Sequence, residues 1–413
     1  KFEMRLILLF SLFLFVFVEA DFRERMKKLR KTGGKRHNLT AAEKETYEKV
    51  VNRQKKRKLD HVNEKGDNVF EVNEKLNVTH NLFQGDIVLT DAQMDALFPE
   101  TKSKRQAIPY ETSRWPGKTL YYSFDANIPE HVKKVTRMAA KEWSDNTCVN
   151  VVETTTATPR VNIVQDGGCW SYVGYTRQNV TNLSLDKGCD SVGTAAHELG
   201  HALGVHHEQA RTDRDNFITV NYDNMHRDDA SQFNIAGSST TYNLTYDYGS
   251  IMQYAQSSFS NNGLPTIIAK TEEFQNTMGS DFISFRDYAI VNEMYGCRKS
   301  CSVEAKCYNG GIPHPRFCQL CLCPLGLAGT QCTERPTQHG DKRCGASLRT
   351  ENTTKTFTAN VGDGTPSDEN TFCHYWLYAP VGFRITAKIS SMTAGVCSEG
   401  CVYGGALFKW QKD

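Results

Sequence analysis

The chain opens with a nearly unbroken apolar run, "LILLFSLFLFVFV" (residues 6–18), set behind Met4 and Arg5 and followed by Val18-Glu19-Ala20. It falls short of the roughly 20 apolar residues a membrane-spanning helix needs, so it predicts a cleaved signal peptide over 1–20 rather than an anchor. No later run is long enough to span. From Asp21 to Arg105 the pattern turns polar and Lys/Glu-rich, as in "RERMKKLRKTGGKR" and "RQKKRKLD", which by itself predicts a solvated helical or disordered face. This stretch ends at the dibasic pair Lys104-Arg105. Beyond Tyr110 the periodicity becomes that of a folded domain. "TLYYSFD" (119–125) alternates as a strand. Residues 130–147 repeat at helical spacing, with Val132, Val135, Ala139 and Trp143 on one face, and "RVNIVQ" (160–165) reads as a short strand. A second helix follows through "TAAHELGHAL". Strands and helices in this order, with cysteine-bearing loops, predict an α+β enzyme domain over 106–299.

Charge excludes little, but it removes one class. With 49 Lys+Arg against 47 Asp+Glu the net charge is +2, which lends no support to a nucleic-acid partner. Cysteine usage says more. All 14 cysteines lie beyond residue 147, and six crowd between Cys301 and Cys332, which points to disulfides formed in an oxidising compartment.

The second predicted helix carries the candidate chemistry. His197 and His201 stand four apart, so both imidazoles leave one face and can meet one cation, with Glu198 beside them to polarise water. HExxH alone is a short pattern; its continuation decides. Gly204 can end the helix, because glycine tolerates positive φ, and the chain can then turn back. In an unbroken helix His206 would point nearly opposite His197. His207, not the adjacent His206, sits at the third-ligand spacing of HExxHxxGxxH. A zinc peptidase drawing its third ligand from a distant Glu is disfavoured, since Gly204 and His207 already complete the set.

"HELGHALGVHHEQARTDRD" resembles the signature of the astacin family of metzincin proteases, and "RWPGKTLYYSF", "CWSYVG" and "VNYDNM" are similar to further segments of that family. The resemblance implies a metzincin-type catalytic domain with a twisted sheet and a zinc-binding helix, holding one Zn2+ on His197, His201 and His207. It implies Glu198 as general base and Met252 in a Met-turn beneath the imidazoles. Tyr254 is implied to stabilise the reaction oxyanion, with Gln253 where the family usually has His. The strand around Val161–Val164 is expected to be the edge that holds substrate. Gly279-Ser280-Asp281 stands where many relatives carry Gly-Gln-Arg, so a preference for acidic substrates is not implied.

The same resemblance gives the flanks a reading. Residues 21–105 become a pro-segment in which Phe83, Gly85 and Asp86 match an F-x-G-D pattern that sets Asp86 on the zinc. Glu208 is expected to meet the ammonium of the N-terminus created near Gln106. Cys148–Cys297 and Cys169–Cys189 match the family's bridges. Residues 300–333 resemble an EGF-like module paired Cys301–Cys318, Cys307–Cys321 and Cys323–Cys332, although spacing alone leaves 15 pairings open. Residues 344–413 resemble the start of a CUB β-sandwich, bridged Cys344–Cys373, with the partners of Cys397 and Cys401 unassigned. Sequons at Asn179, Asn182, Asn243 and Asn352, and at Asn38 and Asn77 in the leader, fit a secreted glycoprotein. Two functions follow: a secreted zinc endopeptidase acting on cuticle, eggshell or matrix proteins, or a catalytically silent extracellular binding protein on the same fold.

Overall fold

The computed structural model describes residues 39–54, 68–97, 113–235, 241–339, 342–362, 365, 367–392 and 399–409. The expected signal peptide, the basic stretches of the leader, Lys104-Arg105, Gln106, Asn38 and Cys397 lie outside these residues. No helix among the described residues is long and apolar enough to cross a membrane.

The N-terminal segment contributes helices α1 (Ala41–Gln54), α2 (Val69–Lys75) and α3 (Asp91–Leu97) and the two-residue strand β1 (Ile87–Val88). The expected catalytic region adds strand β2 (Thr119–Phe124), helix α4 (Glu130–Asn146), strands β3 (Asn150–Glu153), β4 (Arg160–Val164), β5 (Cys169–Tyr172) and β6 (Val180–Leu185), and helix α5 (Val192–Leu203). These strands form one six-stranded sheet in the order β1-β5-β6-β4-β2-β3, in which only the β5–β6 pair is antiparallel. Short strands β7 (Ile218–Val220) and β8 (Ile267–Ala269) pair separately, and helix α6 (Phe285–Met294) closes the region.

The 3.6-residue periodicity of α4 is what fastens it. Val132, Val135, Thr136, Ala139, Ala140 and Trp143 are all buried along one stripe. Trp143 is fully buried, and its indole N–H donates 3.0 Å to the Ala196 carbonyl, locking α4 against α5. The carbonyls at the C-terminus of α5 have no partners within their own helix. Trp115 Nε1 donates to Ala202 (2.7 Å) and the Tyr295 hydroxyl to Leu203 (2.8 Å), so the end of this helix is satisfied by side chains from both ends of the domain.

One expectation fails. The strand around Val161–Val164 is not an edge: β4 is hydrogen-bonded on one side to β2 and on the other to β6, leaving no free backbone for another chain. The strand that borders the site is β5, "CWSY", and β1 of the N-terminal segment already pairs with it in parallel. The polar leader departs from its expected solvated character too. Over residues 68–97 it buries Val69, Phe70, Val72, Leu82, Phe83, Ile87, Leu89 and Met94, and these apolar side chains are divided among separate clusters, Val69 and Val72 in the main core, Phe70 beside Tyr254, and Phe83, Ile87, Leu89 and Met94 with Val173.

Bridges link Cys148–Cys297, Cys169–Cys189, Cys301–Cys318, Cys307–Cys321, Cys323–Cys332 and Cys344–Cys373. The cysteine-rich stretch has one small hairpin, β9 (Ile312–Pro313) with β10 (Cys321–Leu322), and a second, β11 (Gln338–His339) with β12 (Lys342–Arg343), follows it. The β-sandwich expected over 344–413 is reduced, among the described residues, to one parallel pair, β13 (Ala346–Arg349) with β14 (Tyr375–Tyr378). A sandwich needs a second sheet to cover the first. With no such sheet among the described residues, Phe357, Phe383, Leu407 and Phe408 stay exposed.

Arg316 joins the cysteine-rich stretch to the catalytic region. Its guanidinium donates to the carbonyls of Ser144 (2.8 Å), Thr147 (2.8 Å) and Val149 (2.9 Å) and to Asn150 Oδ1 (2.8 Å), capping the end of α4. Arg316→Ala is therefore expected to speed amide exchange across residues 301–332 while leaving the melting temperature of the catalytic region within a few degrees of wild type. Hydrogen–deuterium exchange read by mass spectrometry checks this; unchanged exchange would mean that the three disulfides internal to the stretch hold it rigid without Arg316.

Candidate metal centre and active site

Helix α5 starts at Ser191, whose side chain caps Thr194 N, and stops at Gly204, where φ is +108°. Only glycine takes that backbone without strain, so the chain turns there and the Val205 N–H returns to the Gly200 carbonyl at 3.0 Å. The turn delivers His207 back to the helix: its Nε2 lies 3.2 Å from that of His201. Asp86 enters from the N-terminal segment. Its Oδ2 is 3.1 Å from Nε2 of both His197 and His207, and its Oδ1 is 3.6 Å from Nε2 of His201. All four groups are buried, and their ligand atoms lie within 4.8 Å of one another. His206 is half-buried and stands outside this group.

The outer ring nitrogens fix what the inner ones can do. His197 Nδ1 is 2.7 Å from the Ile251 carbonyl, and His201 Nδ1 is 2.8 Å from the Val205 carbonyl. A carbonyl only accepts, so each Nδ1 carries the hydrogen, and in the neutral ring that binds a metal each Nε2 turns a lone pair inward. His207 Nδ1 meets the Oε1 of Gln84 at 3.0 Å. The centre thus gathers three nitrogen lone pairs and a carboxylate with no hydrogen to share, an arrangement that repels itself unless a cation lies among them. Three imidazoles and one oxygen ligand suit zinc, which favours four N and O ligands in a tetrahedron.

Around this centre stand polar groups with no internal partner. Both carboxylate oxygens of Glu198 and the Tyr254 hydroxyl are buried and make no hydrogen bond among the described residues. Burial, and after it the charge of Asp86, pushes the Glu198 carboxyl well above its ordinary range. Tyr254 packs over His207, ring centroids 4.4 Å apart, and its backbone N–H is held by Gln209 Oε1 at 3.0 Å. Gln253 accepts a short hydrogen bond from Tyr246 and donates 3.0 Å to the Tyr254 carbonyl, so it braces the tyrosine loop without approaching the metal group. Met252 is buried, with its sulfur against Gly200 between the two helix histidines, and its carbonyl accepts from Glu208 N at 2.9 Å.

Several residues at the site carry no sequence motif. Asp287 accepts from Ser250 Oγ (2.6 Å), Ile251 N (2.9 Å) and Ser284 N (2.8 Å), tying the loop that orients His197 to the start of α6. The spacing Ser284-x-x-Asp287 is a capping box and marks the helix start, but not the loop it holds. Glu208 bonds Arg211 Nη1 at 3.0 Å and accepts from Asp247 N at 2.8 Å; burial pushes its carboxyl up to about 8 despite the arginine. The ammonium expected beside Glu208 belongs to residues outside those described. Asp281 lies at the start of α5, its Oδ1 3.4 Å from Ser191 Oγ. Asn73 has both ends of its amide on the first residue of β5: Oδ1 accepts from Cys169 N (2.7 Å), and Nδ2 donates to the carbonyls of Cys169 (2.6 Å) and Gly85 (2.9 Å). Gly85, at φ +83°, lies so close to Tyr254 that a Cβ would stand 3.1 Å from its hydroxyl. The sequon residues Asn179, Asn182, Asn243 and Asn352 are all exposed.

The model of the peptidase family Astacin matches residues 107–296. Among curated proteins, the chain is 40% identical to zinc metalloproteinase nas-31 of Caenorhabditis elegans over 86% of this chain and 60% of that one. It is 34% identical to nas-32 of the same nematode, over 94% of this chain and 60% of that one. To nas-25 it is 35% identical, over 73% of this chain and 77% of that one. The chain therefore spans 60% of the length of nas-31 and of nas-32. Among solved structures it is similar to high choriolytic enzyme 1, a hatching enzyme zinc-protease from Oryzias latipes, at 29% identity over 45% of this chain and 94% of that one, with a TM-score of 0.42.

The adjacent histidines separate by metal content. His207→Ala removes one of the converging nitrogens and is expected to lower zinc affinity by at least about tenfold, whereas His206→Ala should keep full zinc. Atomic-emission analysis of both proteins after dialysis against a weak chelator distinguishes them; equal zinc in the two would remove His207 from the ligand set.

Proposed function

Since this chain belongs to the astacin family of zinc metalloproteinases, we propose that it is a secreted endopeptidase, made as a zymogen, that hydrolyses peptide bonds of extracellular proteins. In this reading 1–20 is the signal peptide, 21–105 the pro-segment and 106–299 the catalytic domain. The cysteine-rich and C-terminal stretches, 300–333 and 344–413, are an EGF-like module and part of a CUB domain. The six disulfides and the exposed sequon asparagines support an extracellular setting. The observation that carries the reading is the buried Glu198 carboxylate and Tyr254 hydroxyl, both without hydrogen-bond partners among the described residues, beside the three converging imidazoles. Burying such groups unsatisfied is costly, and a folded chain keeps them where a reaction uses them. A catalytically silent binding protein has no need of them.

Zinc, when bound by His197, His201 and His207, supplies Lewis-acid polarisation of water and of the scissile carbonyl. Glu198 accepts the proton of the attacking water and passes it to the departing amine. Tyr254 donates its phenolic hydrogen to the oxyanion of the tetrahedral adduct. Once the pro-segment leaves, β5 offers the backbone groups that β1 now occupies, and an extended substrate can add to the sheet there. Substrates of the cuticle, eggshell or matrix fit such an enzyme.

Two variants test the assignment. Glu198→Ala should retain zinc and melt near wild type yet lower the processed enzyme's turnover by about three orders of magnitude or more, because base and proton shuttle vanish together. Peptide hydrolysis at an undiminished rate would sink the mechanism. Asp86→Ala in the full chain should yield measurable hydrolysis before any processing, read with a quenched fluorescent peptide. A variant as inactive as the wild-type full chain would mean that strand pairing by the pro-segment suffices for latency.

A further inference from the structure

The three imidazoles do not draw their orienting hydrogen bonds from the same source. His197 and His201 are held through Nδ1 by backbone carbonyls of the catalytic region itself, those of Ile251 and Val205. His207 is held by a side chain of the N-terminal segment, Gln84. Gln84 is fully buried, its backbone takes a positive φ of 49°, and its Nε2 donates 2.9 Å to the Asn234 carbonyl. That last bond settles which way the amide faces. The Asn234 carbonyl can only accept, so it must meet the NH2 of Gln84, and Oε1 is left to face His207. Oε1 can only accept in turn. His207 therefore carries its hydrogen on Nδ1 and presents the Nε2 lone pair to the centre shared with His197, His201 and Asp86.

We propose that Gln84 is a positioning residue for the zinc ligand His207, so that the pro-segment fastens the metal from behind the ligand as well as in front of it through Asp86. The inference rests on the zinc-peptidase reading above. Its consequence is that processing removes the outer partner of one imidazole while the other two keep theirs, and the latent chain holds zinc more firmly than Asp86 alone accounts for. The neighbouring contacts give Gln84 a fixed seat. Gln232 donates to the carbonyls of Thr79 and Leu82, both at 3.4 Å, so the residues on either side of the Gln84–Asn234 bond are joined as well.

Transfer of zinc from the full-length chain to a chromogenic chelator tests this without relying on activity. Gln84→Ala and the volume-preserving Gln84→Met lose the acceptor, and both should release zinc about tenfold faster or more. Gln84→Glu keeps an acceptor for His207 Nδ1 but sets a carboxylate oxygen against the Asn234 carbonyl. It should restore slow release if the His207 bond matters, and release as fast as alanine if Gln84 serves only to tie the segment to Asn234. The Nδ1–H resonance of His207 in 15N-edited spectra should persist in wild type and Gln84→Glu and exchange rapidly in the other two. Full zinc loading with equal release from all four proteins, or fast release from Gln84→Glu, overturns the proposal alone. A full chain that takes up no zinc overturns it together with the peptidase reading.

Discussion

Bringing three neutral imidazoles and a carboxylate together, lone pair to lone pair, in a buried centre is the constraint around which the molecule is arranged. Left to themselves these groups would turn away from one another, and each imidazole is held instead by a fixed bond behind it. Ile251 and Val205 supply two of those bonds from the backbone. The backbone is in turn held by what lies behind it: Asp287 grips the loop that carries Ile251, and the Gly204 turn sets Val205. The helix between them is anchored through its carbonyls by Trp143, Trp115 and Tyr295, residues from widely separated parts of the chain. Each link is an ordinary hydrogen bond, worth roughly 1 kcal/mol net. Together they leave the histidines only one direction to face.

The N-terminal segment satisfies the same centre with its own chemistry. Asp86 brings the oxygen ligand, Gly85 allows the backbone to run against Tyr254, and Asn73 imitates a strand partner for Cys169 where β1 begins. The segment also reaches the far side of the catalytic region. Glu43 of α1 accepts from Thr219, and Tyr47 from Asn224. Contacts so spread out mean that no single one has to be strong. β1 runs parallel to the strand it covers and occupies its free side at Ser171 and Tyr172.

Gln253 illustrates how one departure from a family's usual residue is absorbed. The position contacts Tyr246 and the backbone of Tyr254, not the metal group. An amide satisfies both contacts, one by accepting and one by donating, so the tyrosine loop keeps its place. Arg316 has a comparable effect at the other end of the domain, since a single guanidinium fills carbonyls at the end of α4 that the helix cannot satisfy.

Local chemistry made much of this protein legible in its sequence. The four-residue step from His197 to His201, the glycine that must break the helix, and the apolar stripe of α4 each depend on backbone geometry within a few residues, and they read correctly as elements. Family likeness carried the reading further, to Asp86 and Tyr254. What it could not carry was any property set by two distant segments at once. Whether β4 or β5 is the outermost of the strands that follow the N-terminal segment's β1 depends on which strands flank it, and the hydrophobic pattern of a short strand is the same in either place. Asn73, Gln84, Asp287 and Arg316 are polar residues of unremarkable composition whose roles arise only because folding places a backbone carbonyl, an amide or an imidazole nitrogen within hydrogen-bond reach of them. The sequence by itself determined which groups could bind a metal and on which elements they stand. The tertiary structure decided which way those groups face, because a hydrogen bond between residues far apart along the chain leaves no periodicity in it.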